Sequence, residues 1–131
     1  MVAYNFQKRF VSRIEDGTKG QTIRRERKRH ARPGELLQLY TGMRTKHCSL
    51  IGTAWCHRVS PIRLDFDTPL IETAWETITA PLKLDLFAVA DGFWRWRHMA
   101  TFWRVYHPDT RVFSGILIEW SGFMAGKREV P

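Results

Sequence analysis

The stretch GTKGQTIRRERKRHARPGELL, residues 17–37, joins a compact polar motif to the most basic part of the chain. Seven of the residues from Lys19 to Arg32 are lysine or arginine, and only Glu26 is acidic. Such a run is usually a solvated, charged surface. The KGQTIR segment at its start and the turn signal Pro33-Gly34 at its end nevertheless predict an ordered loop that leads into a β-strand.

The composition predicts one folded domain with an anionic partner. The 131 residues are 44% hydrophobic and 13% aromatic, which excludes a disordered chain. The formal net charge of +8 favours a polyanion, because lysine and arginine that neutralise phosphates release condensed counterions. The longest apolar runs, such as Leu86–Ala90, are too short for a membrane span or a signal-peptide core. We therefore expect a cytoplasmic protein with no membrane partner.

The two cysteines, Cys48 and Cys56, are expected to be reduced thiols. Both fall in one predicted strand, where eight residues of straight strand separate them by about 26 Å. That distance is too long for a disulfide or a shared metal ion. His47 and His57 adjoin them, but the sequence has no CxxC or HxxxH spacing. We predict no metal site and no organic cofactor.

Hydrophobic periodicity, with glycine and proline as stops, predicts a block of strands followed by two helices and a last strand. The expected elements, in order, are a strand over Val2–Phe6, one or two helical turns over 7–16, the basic loop, a strand over 35–41, a long strand over 48–59, two short strands between 61 and 79, helices over 82–90 and from 94 or 95 to 106, and a strand over 112–120. Residues 1–121 form the predicted domain and residues 122–131 a flexible tail. The expected fold class is α+β, a small mixed or antiparallel β-barrel flanked by helices.

The second predicted helix carries an aromatic stripe. Trp96, Met99, Ala100 and Trp103 recur at helical spacing, and Tyr106 extends the pattern. Amphipathic periodicity is the commoner cause of such a pattern, so we predict core packing rather than a platform on which bases stack.

Several short motifs occur in an order that resembles one known family. A helix with Phe10 and Ile14 precedes GxKxxTIR at residues 17–24, and a basic stretch then leads to PGELL at residues 33–37. Further on, ADGF at residues 90–93 precedes the aromatic helix HMATFWRVYHP. From about residue 6 to residue 120, this arrangement resembles the ASCH domain of the PUA-like superfamily.

The resemblance implies a PUA-like β-barrel, a cleft between barrel and helices, and a partner that is RNA or a modified nucleotide. Some small bacterial ASCH proteins are similar to amidohydrolases that remove the acetyl group of N(4)-acetylcytidine. They use a lysine and a threonine of the GxKxxTIR motif and an acidic residue before the second helix. Carried onto this sequence, the catalytic residues are Lys19, Thr22 and Asp91, with Arg24 in support. Those members have glutamate where this chain has Asp91.

Amide hydrolysis needs a nucleophile, a base and a donor for the developing oxyanion. Thr22 would attack or position a water, Lys19 would be the base, and Asp91 the acid or orienting group. The cations from Arg24 to Arg29 lower the pKa of Lys19, whereas Asp91 raises it. Without the resemblance, the three residues read as a solvated lysine, a turn-capping threonine and a helix-end carboxylate.

The remaining predicted site residues bind rather than react. Arg24, Arg25, Phe93 and Trp55 would contact the substrate through hydrogen bonds and stacking. A second set would hold nucleic-acid phosphates, with RNA favoured over DNA: Arg27, Lys28, Arg29, Arg44 and Lys46. Two alternatives stay open. One is a non-catalytic module for RNA or single-stranded nucleic acid, and the other is a ribonuclease that uses a histidine such as His30 or His98.

Overall fold

The computed structural model describes residues 2–126, which form strands and helices in nearly the predicted order. The strands are β1 (Val2–Phe6), β2 (Gln21–Arg24), β3 (Leu36–Thr41), β4 (Ser49–Asp65), β5 (Leu70–Glu72), β6 (Thr77–Ile78) and β7 (Val112–Ala125). The helices are a 3₁₀ turn (Lys8–Phe10), α1 (Val11–Glu15), α2 (Pro81–Ala90) and α3 (Trp96–Tyr106).

The seven strands form one mixed sheet around the long strand β4. Along one edge β4 pairs antiparallel first with β3 and then with β5, and along the other edge it pairs antiparallel with β7. β1 joins β3 in parallel, β6 joins β5, and β2 joins β7. Within residues 2–126 these pairings leave the sheet open. The predicted α+β class is confirmed, and the predicted closed barrel is not.

β4 runs further than the sequence pattern predicted, through Pro61 to Asp65. We expected proline to end the strand, because it has no N–H for the ladder. Pro61 lies between the parts of β4 that pair with β3 and β5, where one edge has no strand partner among the described residues. The missing N–H is therefore tolerated.

β7 also runs past its predicted end, from Val112 to Ala125. The tail expected from residue 122 therefore does not begin there, and residues 127–131 lie outside the described part of the chain. Gly122 has a φ of 65° and lies at an irregularity of the β4–β7 pairing. A glycine at such a bulge looks like a turn in the sequence, which concealed the continuation of the strand.

The aromatic stripe of α3 packs in the core, as predicted. Trp96, Met99, Ala100 and Trp103 are all buried, whereas Tyr106 at the end of the helix is 53% exposed. The rings of Trp96 and Trp103 each stack on Phe66 with centroids 5.6 Å apart. This packing fixes α3 against the sheet and places the chain before it, including the end of α2, close to β2.

Both cysteines are free thiols, Cys48 exposed just before β4 and Cys56 buried within it. Burial, with a contribution from Glu35, raises the pKa of the Cys56 thiol to about 11. Among the residues that the structure describes, no helix is long and apolar enough to cross a membrane.

Candidate functional site

The KGQTIR segment is held between the last strand and the end of α2. Its residues from Gln21 onward form β2, so part of the segment expected as a loop is a strand. Gly20 donates its N–H to the carbonyl of Ala90 at 3.0 Å and accepts the N–H of Trp120 at 3.0 Å. These bonds bring the motif against the C-terminal end of α2, where Asp91 is the capping residue.

Lys19 is a buried lysine whose side chain is surrounded by protein groups. Its relative exposure is 4%. Nζ donates to the main-chain carbonyl of Asp91 at 2.5 Å and lies 3.8 Å from the carboxylate Oδ1 of the same residue. The ring centroids of Phe6 and Phe10 lie 5.5 and 5.0 Å from Nζ. The ammonium therefore faces aromatic rings and one carboxylate instead of water.

Burial dominates the ionisation of Lys19 and Asp91. Desolvation lowers the pKa of Lys19 from its ordinary 10.5 to about 8, with Arg24 adding to the effect and Asp91 opposing it. Desolvation also raises the pKa of Asp91, against the effects of Lys19, Gln21 and Arg24. From the sequence, nearby cations and Asp91 have opposite effects on the pKa of Lys19, and neither could be said to dominate; removal from water is larger than both. Lys19 therefore loses its proton closer to neutral pH than an ordinary lysine does.

Thr22 is buried in the same region, and Arg24 holds its hydroxyl. Arg24 Nε donates to Thr22 Oγ1 at 2.9 Å, and Arg24 Nη2 donates to the carbonyl of Asn5 at 2.5 Å. The guanidinium also lies 4.9 Å from the ring of Phe6. Burial lowers the pKa of Arg24 to about 10, which leaves it a cation at neutral pH. Thr22 Oγ1 thus accepts a bond from a fixed positive charge, and its own proton can be given to another group.

Gly92 allows the close packing around Lys19. Its φ is +101°, a conformation that side chains with a Cβ rarely adopt. A Cβ at this position would lie 2.9 Å from Lys19 Cδ and 2.9 Å from Phe10 Cδ1. The ADGF motif therefore provides both a carboxylate and the space beside it.

These residues line one pocket of about 190 Å³. Its polar lining includes Lys19, Thr22, Arg24 and Asp91, and its aromatic lining is Phe6, Phe10, Phe93, Phe102 and Trp103. All three predicted catalytic residues therefore meet in one concave site, together with two of the predicted substrate-binding residues, Arg24 and Phe93.

The other two predicted substrate-binding residues lie elsewhere. Trp55 is 52% exposed on β4 and does not line the pocket. Arg25 is exposed, and its Nη2 lies 3.4 Å from Nδ1 of His107. His107 stacks on Trp103 with ring centroids 4.8 Å apart, so Arg25 lies behind one pocket wall instead of in the pocket.

Much of the basic loop between β2 and β3 is bound to the domain by its own contacts. Arg29 Nη2 pairs with Glu35 at 2.6 Å, and Arg27 Nε donates to the carbonyl of Arg29 at 2.8 Å. The Arg27 guanidinium lies 4.8 Å from the buried ring of Tyr4. Lys28 is exposed in the same loop.

The remaining two predicted phosphate-binding residues, Arg44 and Lys46, lie apart from that loop. Both are exposed in the turn between β3 and β4. The predicted nucleic-acid contacts therefore fall on two separate surfaces. Within residues 2–126, no group of three or more His, Cys, Asp or Glu side chains is placed to hold a metal ion.

Two polar contacts of the site are not apparent from the sequence. Gln21 is buried, and its Nε2 points at Asp91 Oδ1 from 3.4 Å. Its position inside KGQTIR was the signal that could have found it. Asn5 supplies the carbonyl that holds Arg24, but it comes from β1, and no local pattern connects it to the motif.

The structure is thus an α+β domain with a buried lysine–aspartate pair in a small pocket beside an open mixed sheet. Solved structures share this fold. ASCH from Zymomonas mobilis aligns with a TM-score of 0.55 and 15% identity over 94% of this chain and 68% of that chain. Two single-substitution mutants of that protein align with TM-scores of 0.53 and 0.54, identities of 14% and 15%, and coverage of 94% of this chain and 70% and 68% of theirs.

The chain therefore has the ASCH fold, which confirms at the level of the fold the resemblance carried by its sequence motifs. No family model and no curated protein matches the sequence.

Proposed function

We propose that this domain is an ASCH-family protein that binds one base of a nucleotide or of RNA in the Lys19 pocket and hydrolyses an acyl group on a cytidine-type base. One observation carries the proposal: Lys19, Thr22, Arg24 and Asp91 line the same pocket. On the strength of the resemblance we further propose a PUA-like barrel, RNA rather than DNA as partner, and a cytoplasmic location.

The shape and lining of the pocket support a flat, partly polar ligand. Its volume of about 190 Å³ lies below the roughly 300–1,000 Å³ of pockets that enclose a drug-sized ligand. Such a space suits a single pyrimidine ring with a small substituent. Aromatic walls that include Phe93 and Phe102 favour stacking, and the buried polar groups favour hydrogen bonds to the edge of a base.

In the proposed reaction, water adds across the amide bond of the acylated base. Neutral Lys19 takes a proton from the Thr22 hydroxyl, or from a water that Thr22 holds, and the oxygen attacks the acyl carbon. The positive charge of Arg24 stabilises the developing oxyanion. Lys19, now protonated, passes that proton to the leaving nitrogen as the C–N bond breaks, while the Asp91 carboxylate, 3.8 Å from Nζ, orients the ammonium. When Thr22 is the attacking group, the acyl group is held as an ester on its Oγ1, and a water deprotonated by Lys19 then cleaves that ester and restores the hydroxyl. By either route the products are the carboxylic acid and the unmodified base.

The test is acetate release from N(4)-acetylcytidine, followed by chromatography. We expect release by the native protein, with a rate that rises with pH and inflects near 8 as Lys19 loses its proton. Lys19→Met, Thr22→Val and Asp91→Asn should each lower the rate by about 100-fold or more, the usual scale for an acid–base group. Lys83→Gln, an exposed change on α2, is the control and should change nothing. Absence of release by folded native protein would refute the hydrolase proposal.

The distance between the two charged side chains offers a finer test. The Asp91 carboxylate lies 3.8 Å from Lys19 Nζ, while the carbonyl of the same residue lies at 2.5 Å. Asp91→Glu adds one methylene and brings the carboxylate within reach of a direct bond. A closer anion stabilises the ammonium, so the pKa of Lys19 should rise. We expect the inflection of the pH–rate profile to move above 8, and an unchanged or lower inflection would contradict this account.

A non-catalytic binding module is the second candidate, and one contact favours it. Lys19 Nζ already donates to a main-chain carbonyl, as a purely structural lysine would. In that case the protein binds RNA, and Lys19→Met weakens binding without any turnover to lose. The ribonuclease alternative gains no support from His30, because its two ring nitrogens contact the Tyr4 hydroxyl and the Arg25 carbonyl at 2.9 and 2.7 Å.

A further inference from the structure

A groove of about 1,000 Å³ adjoins the pocket. The groove and the pocket share three lining residues, Asn5, Phe6 and Gln7. One wall of the groove is formed by the 3₁₀ turn and α1, and the other by the turn between β3 and β4. The pocket and the groove are therefore neighbours, separated by these shared residues.

Asn5 lies between the pocket and the groove and lines both. On the pocket side its carbonyl accepts Arg24 Nη2 at 2.5 Å, and on the groove side its Oδ1 accepts the N–H of Met43 at 2.9 Å. The neighbouring carbonyl of Phe6 accepts the hydroxyl of Thr41 at 2.7 Å. These bonds fix the groove relative to the pocket, so a ligand that occupies both meets a preformed surface.

The groove begins where the parallel strands β1 and β3 end. Phe6 and Thr41, the last residues of these strands, are register partners. Beyond them the chain leaves in two directions, into the 3₁₀ turn and into the turn before β4. A crevice at the carboxyl ends of parallel strands, where the chain diverges, is a common place for ligands to bind.

Exposed cations along one wall make the groove suitable for phosphates. The lining itself carries one cation, Lys8, and one carboxylate, Glu15. Arg44 and Lys46 are exposed in the turn that forms one wall. In the basic loop, by contrast, Arg29 pairs with Glu35, and Arg27 contacts Tyr4 and a main-chain carbonyl.

The pocket and the groove differ in volume, so they suit different parts of a ligand. The pocket is large enough for a base but small for a whole nucleotide. The groove, about five times larger, has room for sugars, phosphates and neighbouring bases.

We propose that the groove holds the nucleotides that flank the base in the pocket, so that the substrate is a single-stranded polynucleotide rather than a free nucleoside. This inference rests on the proposed function of the pocket. The strand must be single because a base reaches a buried pocket only after it leaves its stack. Its phosphates lie along Lys8 and the turn that carries Arg44 and Lys46.

The test compares binding of two probes, the nucleoside N(4)-acetylcytidine and a single-stranded RNA pentamer with that nucleoside at its centre. We expect the native protein to bind the pentamer at least tenfold more tightly. The double variant Lys8→Gln with Lys46→Gln should lose about tenfold in affinity for the pentamer and less than twofold for the nucleoside. Its slope of log affinity against log salt should fall by about 1.4, since each phosphate contact on a single strand contributes about 0.7.

A matched control removes the same charge elsewhere. Lys83→Gln with Arg97→Gln changes exposed residues of α2 and α3 and should leave both affinities as they are. Equal native affinity for the pentamer and the nucleoside would overturn the groove proposal. So would a loss of pentamer binding caused by Lys28→Gln with Arg32→Gln but not by the groove variant, because the strand would then follow the basic loop.

The two proposals fail in different ways. If Lys19→Met weakens pentamer binding and the groove variant does not, the pocket function stands and the groove proposal is wrong. If the groove variant weakens binding while Lys19→Met and removal of the acetyl group change nothing, the groove is a polynucleotide site and the pocket function is wrong.

Discussion

Lys19 of the pocket and the basic loop at residues 25–32 are close in the sequence, yet the charged groups around Lys19 are buried and those of the loop are exposed to solvent. Lys19 and Asp91 form a pair with side-chain exposures of 4% and 7%, whereas Arg29 and Glu35 form one with exposures of 53% and 22%. The first pair is desolvated, whereas the second pair remains largely solvated.

The difference shows that burial, rather than charge type, decides what a cation does in this protein. Removal from water moves the pKa of Lys19 to about 8, within reach of neutral pH. The exposed pair of Arg29 and Glu35 is screened by solvent and contributes little beyond the conformation of the loop. The proposed chemistry therefore uses the buried pair, and the proposed attraction of an anion uses the exposed cations.

The largest expected effect compares a glycine of the pocket with a glycine of the loop. Gly92 and Gly34 both have positive φ, but a Cβ on Gly92 meets two side-chain atoms at 2.9 Å and a Cβ on Gly34 meets nothing within 4 Å. Gly92→Ala adds crowding to backbone strain and should lower the free energy of unfolding by about 4 kcal/mol. Gly34→Ala carries the strain alone and should cost about 1 kcal/mol. Urea denaturation measures both, and equal losses would break the comparison.

The second prediction concerns how stability depends on pH through Lys19. Because its pKa is about 8 in the folded protein and 10.5 ordinarily, the unfolded chain binds more protons between those two values. Stability therefore rises with pH across this window, by up to about 3 kcal/mol for this group alone. Below pH 8 the cost of burying the charged lysine is fully present.

Lys19→Met isolates that contribution, because every other group that titrates in alkali is common to both proteins. We expect the free energy of unfolding of the native protein, relative to the variant, to increase between pH 8 and pH 10.5. A difference that stays constant with pH would mean that Lys19 keeps an ordinary pKa.

The smallest expected effect concerns RNA binding by an exposed residue of the basic loop. Lys28 is exposed, so Lys28→Gln should leave the fold intact and weaken RNA binding by a few fold. The slope of log affinity against log salt should fall by about 0.7 if Lys28 contacts one phosphate of a single strand. Lys83→Gln on α2 is the matched control. If Lys28→Gln and Lys83→Gln weakened RNA binding equally, the loop would act only through the net charge of the protein.

Local patterns predicted most elements because periodicity and turn residues act over a few residues. The stripe of α3 was placed correctly in the core, since helical spacing alone puts Trp96 and Trp103 on one face. The strand β2 was taken for part of a loop, because its partner β7 is more than 90 residues away in the chain. The ends of β4 and β7 were misjudged for a similar reason: a proline and a glycine interrupt the local pattern, but the ladder between the two strands continues.

The residues of the candidate site were likewise only partly predictable from the sequence. The motif brought Lys19, Thr22, Arg24 and Asp91 to attention, and the structure places all four in one pocket. Trp55 was chosen for its residue type, and the sequence had no means to tell that its part of β4 faces away from that pocket.

By itself the sequence determined the class of fold and the positive charge, because composition and short-range spacing encode them, and its motifs resemble a known family closely enough to select the residues of the candidate site. Only the tertiary structure decided that Lys19 is removed from water, that the carbonyl of Asp91 holds it more closely than the carboxylate does, and that a groove adjoins the pocket at Asn5. The physical reason is that desolvation and cavity shape arise from groups far apart in the chain, packed together by β1, β2, β7 and the end of α2.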